Sequence, residues 1–481
     1  MVATEDAAPA SAPAVEPAGD GPAASDMVSE GSAPNADAAT TTDGPATDAP
    51  ASASPRPRRA PRIAPHAMRQ ANRARRTWFA FLFFPFFAIY MVLDAFRELR
   101  DRLARARGVQ MEARPPFARP ADMPTGDARS VADIVGVLEQ FPFRPLPIST
   151  NAAFFRDHGP DALGALLSPN PQITTIPHMY PRPFEQRLFA GTGGVQLAGM
   201  QAMHAQRGPA VVICHGLLMT KNFDAIIQLA RRAFEQWGFH VVTLDLRGWG
   251  QSVWTTDAPA SAGYLEGRDI VEVCRELHRD PRVTSVAGIG YSLGGASMLN
   301  AAHASSLSED HPLDGGTVAV SPPTVIDVAL DHISTKPHWR DPFFGLWHLF
   351  QATIKSNVRR RGLPKDVTTW RDLTTTMSAP YYGIPIEEFC ARASAANFAH
   401  EITQPVLAIH AADDFLVPVQ HAYALQDAVV DNPWVHVAVR DAGAHVSFGA
   451  VDASWYYSTL RRWLEYWAVE PNHAPEDAPI D

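Results

Sequence analysis

Ser292 stands between two glycines, each two residues away, in Gly290-Tyr291-Ser292-Leu293-Gly294. An apolar run at 283–289 leads into it, and small residues with a helical pattern (Ala296, Leu299, Ala302) follow. This predicts strand, sharp turn and helix, with the hydroxyl held out at the strand's C-terminal end. Glycines suit the flanks because the turn strains the backbone and brings neighbouring segments within reach of any Cβ. A serine so presented is a candidate nucleophile, which needs a base and an acid to orient the base. Residues 405–411 read as a strand followed by Asp413-Asp414, and 435–439 as the next strand, leading to Gly443-Ala444-His445. Asp414 and His445 then fall on loops at the sheet edge that holds Ser292. Asp414 is preferred because it stands four residues before Pro418, and Asp413 is kept as a cap or understudy. His410 and His421 are rivals for the base, but one lies in or at the end of a strand and the other on a helix.

Acyl transfer also needs donors for a developing oxyanion, each worth about 10² to 10³ in rate. The N–H of Leu293 at the helix start is one. The N–H of Leu217 is the other, following His215-Gly216 at the end of a strand at 210–214 that should lie beside the serine's strand. His215 reads as a structural hydrogen-bonder rather than a base, and with Tyr291 it is carried as a candidate substrate contact. Asp245 to Ser252 reads as a Gly-rich turn; Asp245 would suit the acid position only in a different fold order.

The elements that must position these groups alternate regularly. A hairpin at 184–189 and 195–203 precedes the 210–214 strand, a helix at 223–237, a strand at 241–246, a helix at 267–278 and the serine's strand. Such alternation predicts an α/β fold, a mostly parallel sheet with helices on both faces. After a strand at 317–321, an insertion at about 322–399 should cap the site. Its aromatics Trp339, Phe343, Phe344, Trp347 and Phe350 recur at helical spacing, which fits a cap core and alternatively an acyl slot; Trp339, Phe343 and Trp347 are candidate substrate contacts.

Composition separates this catalytic part, 184–469, from the rest. Residues 1–66 are Ala/Pro-rich with no Phe, Trp or Tyr, and the first 55 carry nine acidic and no basic residues, hence −9 of the net −10. That tail should stay disordered, as should the acidic 470–481. The near-neutral remainder gives no field for nucleic acid. Three cysteines are too few and scattered for a disulfide framework or zinc site, and Cys214 and Cys274 sit in apolar patterns. Within 67–110, residues 77–93 form an uncharged run of 17 flanked by arginines. At about 1.5 Å per residue it is slightly short of a hydrocarbon core. A single-pass anchor, an in-plane interfacial helix and a helix docked on the catalytic domain all fit. Residues 111–183 read as a Pro-rich arm over the domain.

Residues 184–468 resemble an α/β-hydrolase, and within that superfamily the YheT-like esterase group that includes the membrane-anchored mammalian ABHD relatives. The resemblance rests on His215-Gly216, Arg247 to Ser252, Gly290 to Gly295 and Ala411 to Pro418, with Arg371-Asp372-Leu373-Thr374, Tyr381-Tyr382-Gly383 and Glu387 to Ser394 ahead of the acid strand. The chain departs from the group's pattern at Ala444, where Gly-Gly-His is usual, at Trp249, and in the longer insertion after 317–321. A serine hydrolase of carboxylic esters is expected, acyl-chain or lipid esters favoured, needing no metal or cofactor. Its activity should fall as pH drops through the histidine range near 6.5. An acyltransferase using the same triad, and a non-catalytic membrane scaffold that binds a lipid or partner, are the alternatives.

Overall fold

Apolar runs bounded by Gly, Pro and Asn become a central sheet in the computed structural model, which describes residues 130–167, 180–338 and 343–469. The acidic tails, the apolar run at 77–93 and Trp339 lie outside the described residues. Among the described residues no helix is long and apolar enough to cross a membrane.

Two helices precede the sheet, α1 (Val131–Leu138) and α2 (Thr150–Leu167). The hairpin β1 (Glu185–Ala190) and β2 (Gln196–Ala202) follows, then β3 (Gly208–Cys214), α3 (Asp224–Glu235), β4 (His240–Leu244), α4 (Tyr264–His278), β5 (Val283–Tyr291) and α5 (Leu293–Ser306). After β6 (Thr317–Val320) the cap contributes α6 (Ile326–Ser334), α7 (Phe343–Arg361) and α8 (Ile386–Ala393). The chain closes with β7 (Val406–Ala411), α9 (Gln420–Ala428), β8 (Val435–Arg440) and α10 (Ala453–Ala468). The eight strands lie in the order β1-β2-β4-β3-β5-β6-β7-β8. The β1–β2 and β2–β4 pairs are antiparallel and the rest parallel. The expected α/β architecture is thus present, and the His215 loop does leave the strand beside the serine's: Cys214 pairs with Gly290.

The central strands read as unbroken apolar runs because both faces are buried. In β3, Val212 and Cys214 join one core cluster with Ile270 of α4 and Leu299 of α5, whereas Val211 and Ile213 join the other with Ile226 of α3 and Trp463 of α10. Cys274 is buried in the first cluster as well.

Arg371 binds the cap together, donating to the Asp327 and Asp331 carboxylates of α6 at 2.9 and 2.5 Å. The N-terminal arm is tied down by polar contacts. On α2, the Asp157 carboxylate accepts from the Ala450 N–H at 3.0 Å and the Asp161 carboxylate from the Asp224 N–H at 2.9 Å. Burial pushes Asp161 up to about 8 and Asp157 up to about 6, against the pull of those N–H donors. Both values exceed the unfolded value of about 3.9. The stability these groups contribute is therefore complete below about pH 4 and is lost as pH rises through about 6 and then about 8. Asp161→Asn keeps an acceptor for the Asp224 N–H and removes the charge. Thermal unfolding should show its advantage over wild type growing between about pH 4 and pH 8; a pH-independent difference would contradict a buried, ionising Asp161.

Candidate active site

β5 ends at Tyr291, and Ser292 makes the turn into α5 with φ 52° and ψ −115°, a conformation L-residues rarely adopt. The surrounding main chain fixes it. The Ser292 N–H donates to the Val320 carbonyl at 2.8 Å, and its carbonyl accepts from the Ala296 N–H at 2.9 Å. The flanking glycines are a spatial necessity: a Cβ on Gly290 would stand 2.0 Å from the Gly294 carbonyl oxygen, and one on Gly294 would stand 2.6 Å from that of His215. Gly216 abuts the serine too, since a Cβ there would meet the Ser292 Cβ at 3.0 Å. The loop after β3 is therefore pressed against Ser292. Leu293 opens α5, where the first N–H groups lack an intrahelical acceptor.

Asp414 and His445 come together on the loops after β7 and β8. The His445 Nδ1 lies 2.9 and 3.0 Å from the two Asp414 carboxylate oxygens. Oδ1 also accepts from the N–H groups of Leu416 and Val417 at 3.0 and 2.8 Å. Burial alone would raise the Asp414 pKa, but the neighbouring His445 and these donors outweigh it and hold the carboxyl below its ordinary range. An ionised Asp414 keeps the proton on Nδ1 and turns Nε2 to accept. Asp413 has a different task. Its carboxylate accepts from the Ala444 N–H at 2.8 Å and from the Thr150 hydroxyl of α2 at 2.9 Å, so it holds the histidine's loop and the arm in register. Ala444 has φ 47°, in the left-handed region that glycine occupies at least cost.

Two cavities meet at Ser292, sharing Leu217, Phe350 and Leu416. The larger, about 110 Å³, is walled by the cap residues Leu330, Ile333, Trp370, Met377 and Phe389, with Leu293 and Trp249 below. The smaller, about 50 Å³, is lined by His445, Phe154, His158, Met219 and Leu346.

Several sequence candidates lie elsewhere. His215 is fully buried, with Nδ1 2.7 Å from the Gly216 carbonyl and Nε2 accepting from the Leu246 N–H at 3.1 Å, so both nitrogens serve the backbone. Tyr291 is the last residue of β5, and its hydroxyl meets that of Tyr456 in the core on the face covered by α10; it lines neither cavity. Phe343 packs edge-on against Phe350 with ring centroids 5.2 Å apart, and Trp347 faces the Lys336 ammonium at 5.6 Å. Both belong to the body of the cap, and of this helix's aromatics Phe350 is the one that lines both cavities. The rival histidines are engaged by the backbone. His410 Nε2 lies 2.8 Å from the Val417 carbonyl, and His421 accepts from the Thr324 and Val325 N–H groups at 3.3 Å. Sequence reasoning missed Phe154 and His158, which α2 brings to the smaller cavity; their spacing of four, one helical turn, was the available signal.

The family model for the alpha/beta hydrolase fold matches residues 209–449, half of the chain. A Saccharomyces cerevisiae protein described as medium-chain fatty acid ethyl ester synthase/esterase 2 is 24% identical over 272 residues, which cover 50% of this chain and 58% of that relative. The chain thus matches less than two thirds of that protein's length. Among solved structures, an esterase of Pyrococcus furiosus is 17% identical with TM-score 0.43, over 60% of this chain and 98% of its own. A Pyrococcus horikoshii acylaminoacyl peptidase is 17% identical with TM-score 0.38, over 60% of this chain and 41% of its own. From the match to its family model and the strand order, this chain belongs to the α/β-hydrolase fold family.

Proposed function

We propose that the protein is a serine hydrolase of carboxylic esters with an apolar acyl chain. The observation that carries this is the meeting of a strained Ser292 and an Asp414-held His445 on the wall of one buried cavity. In this reading the Ser292 Oγ bonds to the acyl carbon as its proton passes to His445 Nε2. The N–H groups of Leu217 and Leu293 receive the oxyanion. Collapse breaks the bond to the leaving oxygen, which takes the proton from Nε2. A water deprotonated by His445 then bonds to the acyl carbon, and the acyl–Oγ bond breaks as His445 returns the proton to Ser292 and the acid leaves.

The two cavities divide the substrate. His445 must reach the leaving oxygen, so the alcohol half belongs in the smaller cavity, which His445 lines. The acyl half then extends into the larger apolar one. The run at 77–93 with its flanking arginines supports placing this chemistry at a membrane, where such esters partition. A second reading, transfer of the acyl group to an alcohol, is favoured by the word synthase in the yeast relative's description. It needs only an alcohol in place of the water.

Hydrolysis of p-nitrophenyl esters from C2 to C16 by the full chain tests the division. Turnover should peak at intermediate or long acyl lengths, because each methylene buried in the larger cavity contributes about 0.8 kcal/mol. An optimum at acetate would contradict an acyl-binding larger cavity, and an ethyl ester product formed in added ethanol would establish the transferase reading.

A further inference from the structure

The smaller cavity contains one polar side chain that the hydrolytic steps do not use. His158 is 4% exposed, lines the cavity with His445, and neither ring nitrogen has a hydrogen-bond partner. Buried polar groups are nearly always paired, so an orphaned imidazole in a substrate cavity points to a partner that arrives with the substrate. Its placement is fixed by the fold. α2 is fastened on either side of His158 by Asp157 to Ala450 and Asp161 to Asp224, and at its start by Thr150 to Asp413. Phe154, one turn earlier, packs against the ring with centroids 5.1 Å apart. Burial first, and then the neighbouring His445, push the His158 pKa down to about 4; the Val446 backbone opposes this from nearby without forming a hydrogen bond. The ring is therefore neutral at ordinary pH and offers one donor and one acceptor.

We propose that His158 sets specificity for the alcohol half of the substrate. Its imidazole hydrogen-bonds a hydroxyl carried by the leaving alcohol, so the enzyme prefers esters of small diols or polyols to esters of plain alkyl alcohols. This rests on the serine-hydrolase reading, which puts the leaving group beside His445. The cavity, about 50 Å³, suits a short alcohol, and its other walls, Phe154, Met219 and Leu346, give a hydroxyl no side-chain alternative. A plain alkyl group leaves the imidazole buried and unsatisfied, which weakens binding of that ester.

The test compares 2-hydroxyethyl octanoate with propyl octanoate, whose leaving groups differ only by oxygen for a methyl carbon. The full chain is assayed as wild type, His158→Phe and His158→Gln, with reactive Ser292 counted by fluorophosphonate labelling so that misfolded protein is discounted. Wild type should favour the hydroxyethyl ester in kcat/KM by about tenfold or more. His158→Phe should bring the ratio near one, and His158→Gln, which keeps a neutral donor and acceptor, should retain more of the preference. A wild-type ratio near one, an unchanged ratio in His158→Phe, or equal loss on both esters overturns the proposal. If wild type hydrolyses neither ester the proposal also falls, and the labelling decides the rest: an unlabelled Ser292 removes the hydrolase reading with it, whereas a labelled one leaves that reading standing.

Discussion

Replacing Ser292 by alanine should lower ester turnover by about 10⁵ to 10⁶-fold, the loss found when a serine nucleophile that acts as a unit with its base is removed. The fold should survive. The hydrogen bonds that hold residue 292 are main-chain ones, to Val320 and from Ala296, and alanine inherits both. Alanine also inherits the strain at φ 52°, so the melting temperature should hardly move. Ser292→Gly separates the two effects. It removes the same nucleophile but relaxes the backbone, and should gain about 1 kcal/mol of stability, less the entropy glycine adds to the unfolded chain. Active-site kinetics and thermal unfolding on the three proteins measure both. Turnover within tenfold of wild type in Ser292→Ala would end the serine-nucleophile reading.

The strand–turn–helix at Ser292 was legible because most of its signal is local. Gly290 is dictated by contacts with Gly294 and Met298, within one strand–turn–helix unit, whereas Gly294 is required by the Cys214 and His215 carbonyls at the end of the neighbouring β3. Asp414 and His445 were legible through chain order and the strands that deliver them. What failed was direction. Tyr291 adjoins Ser292 in sequence, yet successive strand residues point to opposite faces, and the phenol lies against Tyr456 on the far side. Phe343 and Phe350 share a helical stripe, and spacing alone does not say which end of the stripe reaches the cavity. His158 was hidden for a different reason. Gly159-Pro160 follows it directly and reads as a break, whereas α2 runs on to Leu167. Tertiary packing overrode the local signal there. Lys221 was invisible too, since nothing in a sequence marks a lysine that will be wholly buried.

That lysine yields the largest effect expected on stability. Lys221 Nζ donates to Asp245 Oδ2 at 2.5 Å, and both side chains are completely buried. The carboxylate also accepts from the Lys221 and Gln251 N–H groups at 2.8 Å, and Gly250, with φ 53°, lies so close that a Cβ would meet the Asp245 Cγ at 2.2 Å. The Gly-rich turn after β4 is thus a wrapping around one carboxylate, a structural role that ties the Leu217 loop to the next strand. Burial alone would raise the Asp245 pKa, but Lys221 foremost, with His215 and the N–H donors, holds the carboxyl below its ordinary range. Its contribution is therefore present above the unfolded value of about 3.9 and is lost as pH falls through the lower folded one. Asp245→Asn preserves shape and one acceptor but strands the ammonium, and should cost about 3 to 5 kcal/mol in urea unfolding. Adding Lys221→Met removes the stranded charge, so the double variant should be more stable than Asp245→Asn alone. Leu217 is four residues before Lys221, so under the proposed mechanism, which gives its N–H to the oxyanion, the single variant should also lose turnover. A loss below about 1 kcal/mol would mean that Lys221 is uncharged in the folded protein and that the clamp works by hydrogen bonds rather than by charge.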